Sequence, residues 1–229
     1  MKNLISFFTR IPVSGDLEKM GREVWLLPLL GIVTASLSSI ILYLDLPLRG
    51  VLAVLALYVV MGIIHLDGLG DFADGVMVKG DREEKIRALK DVNVGTAGIF
   101  ALTFVLLLQV FSLDILPFWS VLVAEVNSKM GMLAISALNK PLGNGLGSHV
   151  MNSLNFKRLV LAVVVYLTIM GLFFVLYPKS AILAVSLLVP LFVGRIAVKN
   201  FGGVNGDCIG ACAELTRVTG LVLLALILV

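Results

Sequence analysis

Residues 65–75 read His65-Leu66-Asp67-Gly68-Leu69-Gly70-Asp71-Phe72-Ala73-Asp74-Gly75, and they follow directly on an apolar run. Three carboxylates within eight residues at such a place are costly unless they serve a purpose. If the segment is helical, Asp67, Asp71 and Asp74 stand at i, i+4 and i+7 and share one face within an arc of about 60°. Like charges on one face repel, so the arrangement makes sense around a cation. An all-oxygen donor set suits a hard ion such as Mg²⁺ or Mn²⁺, completed by substrate phosphates. The plainer alternative is an acidic helix end in water, with the aspartates favoured by the helix dipole.

The surroundings decide the fold class. Of 229 residues 59% are hydrophobic and only 14% charged, where an ordinary soluble domain has roughly 45–50% apolar and about 25% charged residues. Mean hydropathy is +1.04. Seven apolar runs approach the roughly 20 residues that cross a bilayer, near 24–44, 47–66, 96–113, 118–138, 158–177, 180–199 and 208–229. The expectation is an all-α polytopic membrane bundle of about seven transmembrane helices, in one domain over 1–229. Residues 1–23 pair Leu4, Ile5, Phe7, Phe8 and Ile11 with Lys2, Arg10, Lys19 and Arg22, which fits an interfacial segment. Residues 67–95 are expected to form a loop carrying the aspartate motif.

With the N-terminus inside, only Arg49 and Lys179 of the 18 lysines and arginines fall on the outer face, while Lys129 and Arg217 lie within spans. The other fourteen are cytoplasmic, so the positive-inside rule places every polar cluster of interest in one compartment. The net charge of +3 argues for no nucleic-acid partner, and Cys208 and Cys212 make neither a disulfide framework nor a zinc site.

Other polar clusters carry two readings each. Asn93-Val94-Gly95-Thr96-Ala97-Gly98 offers backbone N–H groups at a helix N-terminus to a phosphate, or is a simple cap with Thr96 as N-cap. Glu125 and Lys129, within a span, are either a structural pair or a cavity-facing set with Lys129 open to an anion. His149 reads as an exposed loop histidine. Gly202-Gly203-Val204-Asn205-Gly206-Asp207 is a second acidic glycine-rich cluster, in which Asp207 caps the last span or joins a shared phosphate-handling pocket.

Taken together, Phe8-Thr9-Arg10-Ile11-Pro12, the 65–75 run, Asp81-Arg82, Lys90-Asp91, Gly95-Thr96, Gly145-Leu146-Gly147 and Gly202-Gly203…Gly206-Asp207…Gly210-Ala211 resemble the adenosylcobinamide-GDP ribazoletransferase (cobalamin synthase) family. The resemblance runs nearly end to end. It implies a Mg²⁺-dependent phosphoryl transfer joining adenosylcobinamide-GDP to α-ribazole or its 5′-phosphate, with release of GMP. It assigns Asp67, Asp71 and Asp74 to the metal, and Asp74 and Asp207 to catalysis, Asp207 as a further ligand or the base. Arg82, Lys90, Gly95, Thr96, Lys129 and Gly206 fall to substrate binding. Membrane lipid is an expected partner, homo-oligomerisation is left open, and the location is the cell membrane with a cytoplasm-facing site. Two rivals are weaker. A CDP-alcohol phosphotransferase places its aspartates at a different spacing, and an ion-coupled transporter usually places its charges at the midplane of two related halves.

Overall fold

The computed structural model describes residues 1–228; the last expected transmembrane position, Val229, lies outside them. The described residues form twelve α-helices. Two short ones, α1 (Lys2–Phe8) and α2 (Leu17–Glu23), precede α3 (Leu27–Tyr43), with a 3-10 turn Val24–Leu26 between. α4 (Arg49–Met61) and α5 (Ile64–Met77) follow, then α6 (Arg82–Leu89), α7 (Thr96–Ile115), α8 (Trp119–Leu138), α9 (Leu146–Ser153) and α10 (Phe156–Leu176). A 3-10 stretch Pro178–Leu188 runs into α11 (Val189–Phe201), and α12 (Gly206–Leu228) ends the chain. Six helical segments are long and apolar enough to cross a membrane, and a bent pair, α4 with α5, makes up to seven. The polytopic helical bundle expected from composition is the one observed.

The spans sort by what they touch. α8 sits at the centre and buries most of its side chains, against α3 on one side and α12 on another. α10 buries only Ala162, Tyr166 and Met170, a single stripe at fourfold spacing, so the rest of its surface is left to lipid.

One expected boundary moves. The second span stops at Met61 rather than 66, because Gly62 takes φ 78°, a backbone state open mainly to glycine. The chain then turns through 98° into α5. The aspartates therefore stand on a 14-residue helix, and the loop expected over 67–95 begins only at Val78. α5 does not continue along the axis of α4, so its carboxylates leave the line of that apolar helix.

The bundle interior holds a neutral set of four charges. Glu125 and Lys129 on α8 pair at 3.1 Å, Arg217 on α12 pairs with Glu125, and Arg217 also meets Glu214 at 2.5 Å, with all four side chains fully buried. Thr34 of α3 donates to Glu125 at 2.9 Å, and Tyr58 of α4 donates to Glu214 at 2.7 Å. Gln109 of α7 donates to the Tyr58 hydroxyl at 3.1 Å. Five helices are thus tied to one polar knot, and each charge has a partner, which is what makes burial tolerable. Of the two readings of Lys129, the structural pair is the one seen: the ammonium is sealed in this knot, beside the Met61 sulfur at 3.3 Å, and reaches no cavity. Replacing Arg217 by Met leaves two carboxylates buried with one cation. That variant is expected to lose about 3–5 kcal/mol of stability, read as a lower melting temperature in detergent; an unchanged melt contradicts the structural role assigned to the knot.

Candidate active site

The site forms where α5 meets the first turn of α12. A Cβ built on Gly68 would lie 2.8 Å from the Cα of Asp207, and one built on Gly210 would lie 3.1 Å from the Cα of His65. Only residues without side chains let these two backbones touch, and the contact brings the acidic face of α5 to Asp207. Asn205, not Asp207, caps α12: its Oδ1 accepts from Cys208 N at 3.1 Å. Asp207 is left as a half-buried carboxylate whose Oδ2 accepts from Asn205 Nδ2 at 2.6 Å.

Two glycine-rich loops close over this edge. Leu142 N donates to Val204 O at 2.7 Å and Val204 N donates to Lys140 O at 2.9 Å, a short parallel bridge between Pro141 and Val204. The loop between α8 and α9 and the turn before α12, unrelated in sequence position, so become one rim. Beneath it lies a cavity of about 450 Å³, within the range of small-molecule sites. Lys90, Asn144, Asn205 and Asp207 supply its polar side, while Phe8, His65, Met132, Leu146 and Ile209 are among those forming the rest.

The sequence-derived candidates fall into three groups. Asp207, Gly206 and Lys90 line the cavity; Asp67 and Asp71 do not, but each stands near enough to Asp207 to interact with it by charge. Asp74 and Gly95 come together elsewhere. Asp74 accepts from Gly95 N at 2.7 Å and from Gly98 N at 2.9 Å, so the N-terminus of α7 is capped by a carboxylate from another helix. The N-cap position is Gly95 rather than Thr96, whose side chain is exposed. The anion-binding turn expected there already holds an anion, Asp74. Arg82 and Lys129 stay apart: the Arg82 guanidinium covers Gly202, 3.0 Å from where its Cβ would stand, and Lys129 is in the buried knot.

The donor chemistry fits a hard cation. Burial first, and then the neighbouring Asp207, Asp67 and Asp74, push the Asp71 carboxyl up to about 6. Among the described residues no three His, Cys, Asp or Glu side chains are grouped so as to hold a metal ion by themselves. An open carboxylate edge is what Mg²⁺ accepts when substrate phosphates complete its shell.

Sequence reasoning missed the cavity's apolar wall and His65. The imidazole is 5% exposed, and its Nδ1 has no hydrogen-bond partner. Phe8 stands beside it, with ring centroids 6.3 Å apart. A clue lay in the amphipathic 1–23 segment, whose apolar residues cover the site as well as the membrane. His149 is not a loop residue but lies on α9, with Nε2 3.0 Å from Leu17 O.

The Gly68 contact makes a specific prediction. Gly68→Ala must part α5 from α12 and is expected to cost about 1–3 kcal/mol and most of the turnover. Gly171→Ala, in open space on α10, is expected to be neutral or slightly stabilising. Melting curves and turnover of both variants check this; full activity of the Gly68 variant contradicts the assigned site.

Comparison with known proteins agrees with this architecture. Residues 1–225 match the family model described as cobalamin-5-phosphate synthase. A Pyrococcus furiosus protein named adenosylcobinamide-GDP ribazoletransferase is 52% identical over 98% of this chain and 98% of its own length. Proteins of the same name from Thermococcus kodakarensis and Methanococcoides burtonii are 51% and 32% identical, over 99% and 98% of this chain and 98% and 90% of their own lengths. No solved structure matches. With nearly its whole length matched, its aspartate helix packed on the glycine-rich start of α12 and its fold a membrane helical bundle, this chain belongs to the cobalamin-5-phosphate synthase family.

Proposed function

We propose that this chain is an adenosylcobinamide-GDP ribazoletransferase. It joins adenosylcobinamide-GDP to α-ribazole, or to α-ribazole 5′-phosphate, in the last assembly step of cobalamin biosynthesis. The 5′ hydroxyl oxygen attacks the cobinamide-side phosphorus, the bond from that phosphorus to the bridging oxygen breaks, and GMP leaves with that oxygen. One observation carries the reading: Asp207 lines a cavity that is cationic at Lys90 and apolar beyond, and the carboxylate-bearing helix α5 packs directly on Asp207 through Gly68.

Each part of that arrangement has a task. Asp67 and Asp71 would hold a Mg²⁺ ion, which when bound screens the diphosphate charge and stabilises the leaving group. Lys90 neutralises phosphate oxygens as a point charge. Asp207, held by Asn205, would accept the hydroxyl proton. The apolar wall of Phe8, Leu146 and Ile209 suits the flat base of the ribazole. Asp74 supports the site from behind by fixing α7 against α5. The basic residues gathered at these helix ends support a cytoplasm-facing site in the cell membrane.

The test is an assay of the detergent-solubilised chain with both substrates, following GMP and corrinoid product. Activity is expected with Mg²⁺ and none with EDTA. Asp71→Asn is expected to lower turnover by at least about 100-fold in a protein that keeps its fold. Absence of product from folded wild type supplied with Mg²⁺ overturns the reading, and undiminished activity of Asp71→Asn overturns the assigned edge.

A further inference from the structure

A second concave feature lies apart from the active-site cavity. Arg22 at the end of α2, Trp25 in the 3-10 turn, and Lys157 and Arg158 in the first turn of α10 line a cavity of about 250 Å³. α3 begins at Leu27 and α10 at Phe156, so this cavity stands at the entrance of two membrane spans. Three cations converge there, and among the described residues none of them has a carboxylate within 4.0 Å. Glu23, next to Arg22 in the chain, is already held by the N-terminal amine at 2.7 Å and by Asn3 at 3.0 Å. The Arg158 guanidinium is positioned by the Ser153 carbonyl, and Arg158 N by the Asn155 side chain at 2.9 Å.

Like charges gathered around a concavity need an anion, and the walls say which kind. Below the cations, Leu161, which lines the cavity, is followed down the same side of α10 by Val164, Leu172 and Val175, exposed by 54%, 60% and 77%. Trp25 supplies the amphipathic ring favoured at the headgroup level. A phosphate with hydrocarbon attached satisfies both halves of this surface, whereas a free phosphate satisfies only the first.

We propose that the Arg22–Trp25–Lys157–Arg158 cavity binds the phosphate of an anionic phospholipid, with its acyl chains laid along the exposed apolar side of α10. This is a lipid site distinct from the catalytic cavity and independent of the reaction assigned above. Basic pockets at the ends of transmembrane helices bind such headgroups by charge.

Tryptophan fluorescence tests it. The chain has two tryptophans, so Trp119→Phe leaves Trp25 as the only one. The full-length protein is reconstituted in phosphatidylcholine vesicles containing a minor fraction of either brominated phosphatidylglycerol or brominated phosphatidylcholine. Phosphatidylglycerol is expected to quench Trp25 at far lower mole fraction. Lys157→Gln with Arg158→Gln should weaken that preference by roughly 30-fold, the contribution of two interfacial cations. Arg22→Gln, at an exposed position, gives the same test in a milder form. Lys79→Gln with Arg87→Gln, an equal charge loss elsewhere, should leave the preference unchanged. Equal quenching by both lipids in the parent overturns the proposal. So does a preference that survives the cavity substitutions, or one that falls equally with the control pair. Displacement of the brominated lipid by millimolar inorganic phosphate would mark a free-phosphate site instead and overturn the lipid assignment.

Discussion

The buried exchange of charge between Glu125, Lys129, Glu214 and Arg217 is the constraint on which the bundle depends. In hydrocarbon no water stands ready to solvate a stray charge, so the four must stay together or the helices that carry them must separate. Glu125 and Lys129 fix the rotation of α8, while Glu214 and Arg217 fix that of α12. Thr34, Tyr58 and Gln109 bring α3, α4 and α7 to the same point. Once the rotation of α12 is set within the bundle, its first turn and Asp207 are held at the wall of the cavity. The knot itself touches no cavity; it acts by holding the frame in register.

The second constraint is the bend at Gly62. A straight continuation of α4 would have carried Asp67, Asp71 and Asp74 along the crossing direction. The turn of 98° lays α5 aside, and Gly68 and Gly210 allow it to press directly on α12. The three aspartates then part company. Asp74 is used by the fold, accepting from the N-terminus of α7, whereas Asp67 and Asp71 stand close to Asp207 of α12. Carboxylates equivalent in sequence thus differ in use: Asp74 is bonded into the start of α7, and Asp67 and Asp71 are not, a division decided by which helix arrives opposite each of them.

Much of this was legible in the sequence. Hydropathy gave the spans, since burial in lipid is a property of the segment itself, and the spacing of Asp67, Asp71 and Asp74 gave their common face. The Glu125–Lys129 pair at i, i+4 could be read locally, but its Arg217 partner could not, being 92 residues from Glu125. The same limit hid Asp74 as the cap of α7: Thr96 is the better capping residue by type, and only the tertiary approach of α5 lets a remote carboxylate replace it. The apolar wall around Phe8 and Leu146 was masked for another reason. In a chain that is mostly apolar, residues facing a ligand and residues facing lipid look alike. The junction of the two glycine-rich loops through Leu142 and Val204 rests on backbone hydrogen bonds, which leave little trace in side-chain identity.

In the proposed reaction α5 and α12 together form a metal-and-phosphate edge, and Asp74 belongs to the fold. Locating Mn²⁺ by anomalous diffraction in crystals of the full chain tests it most directly. The expected result is an ion bound by Asp67 and Asp71 near Asp207, with Asp74 still accepting from Gly95 and Gly98. An ion bound elsewhere, or one that draws Asp74 away from α7, would contradict it.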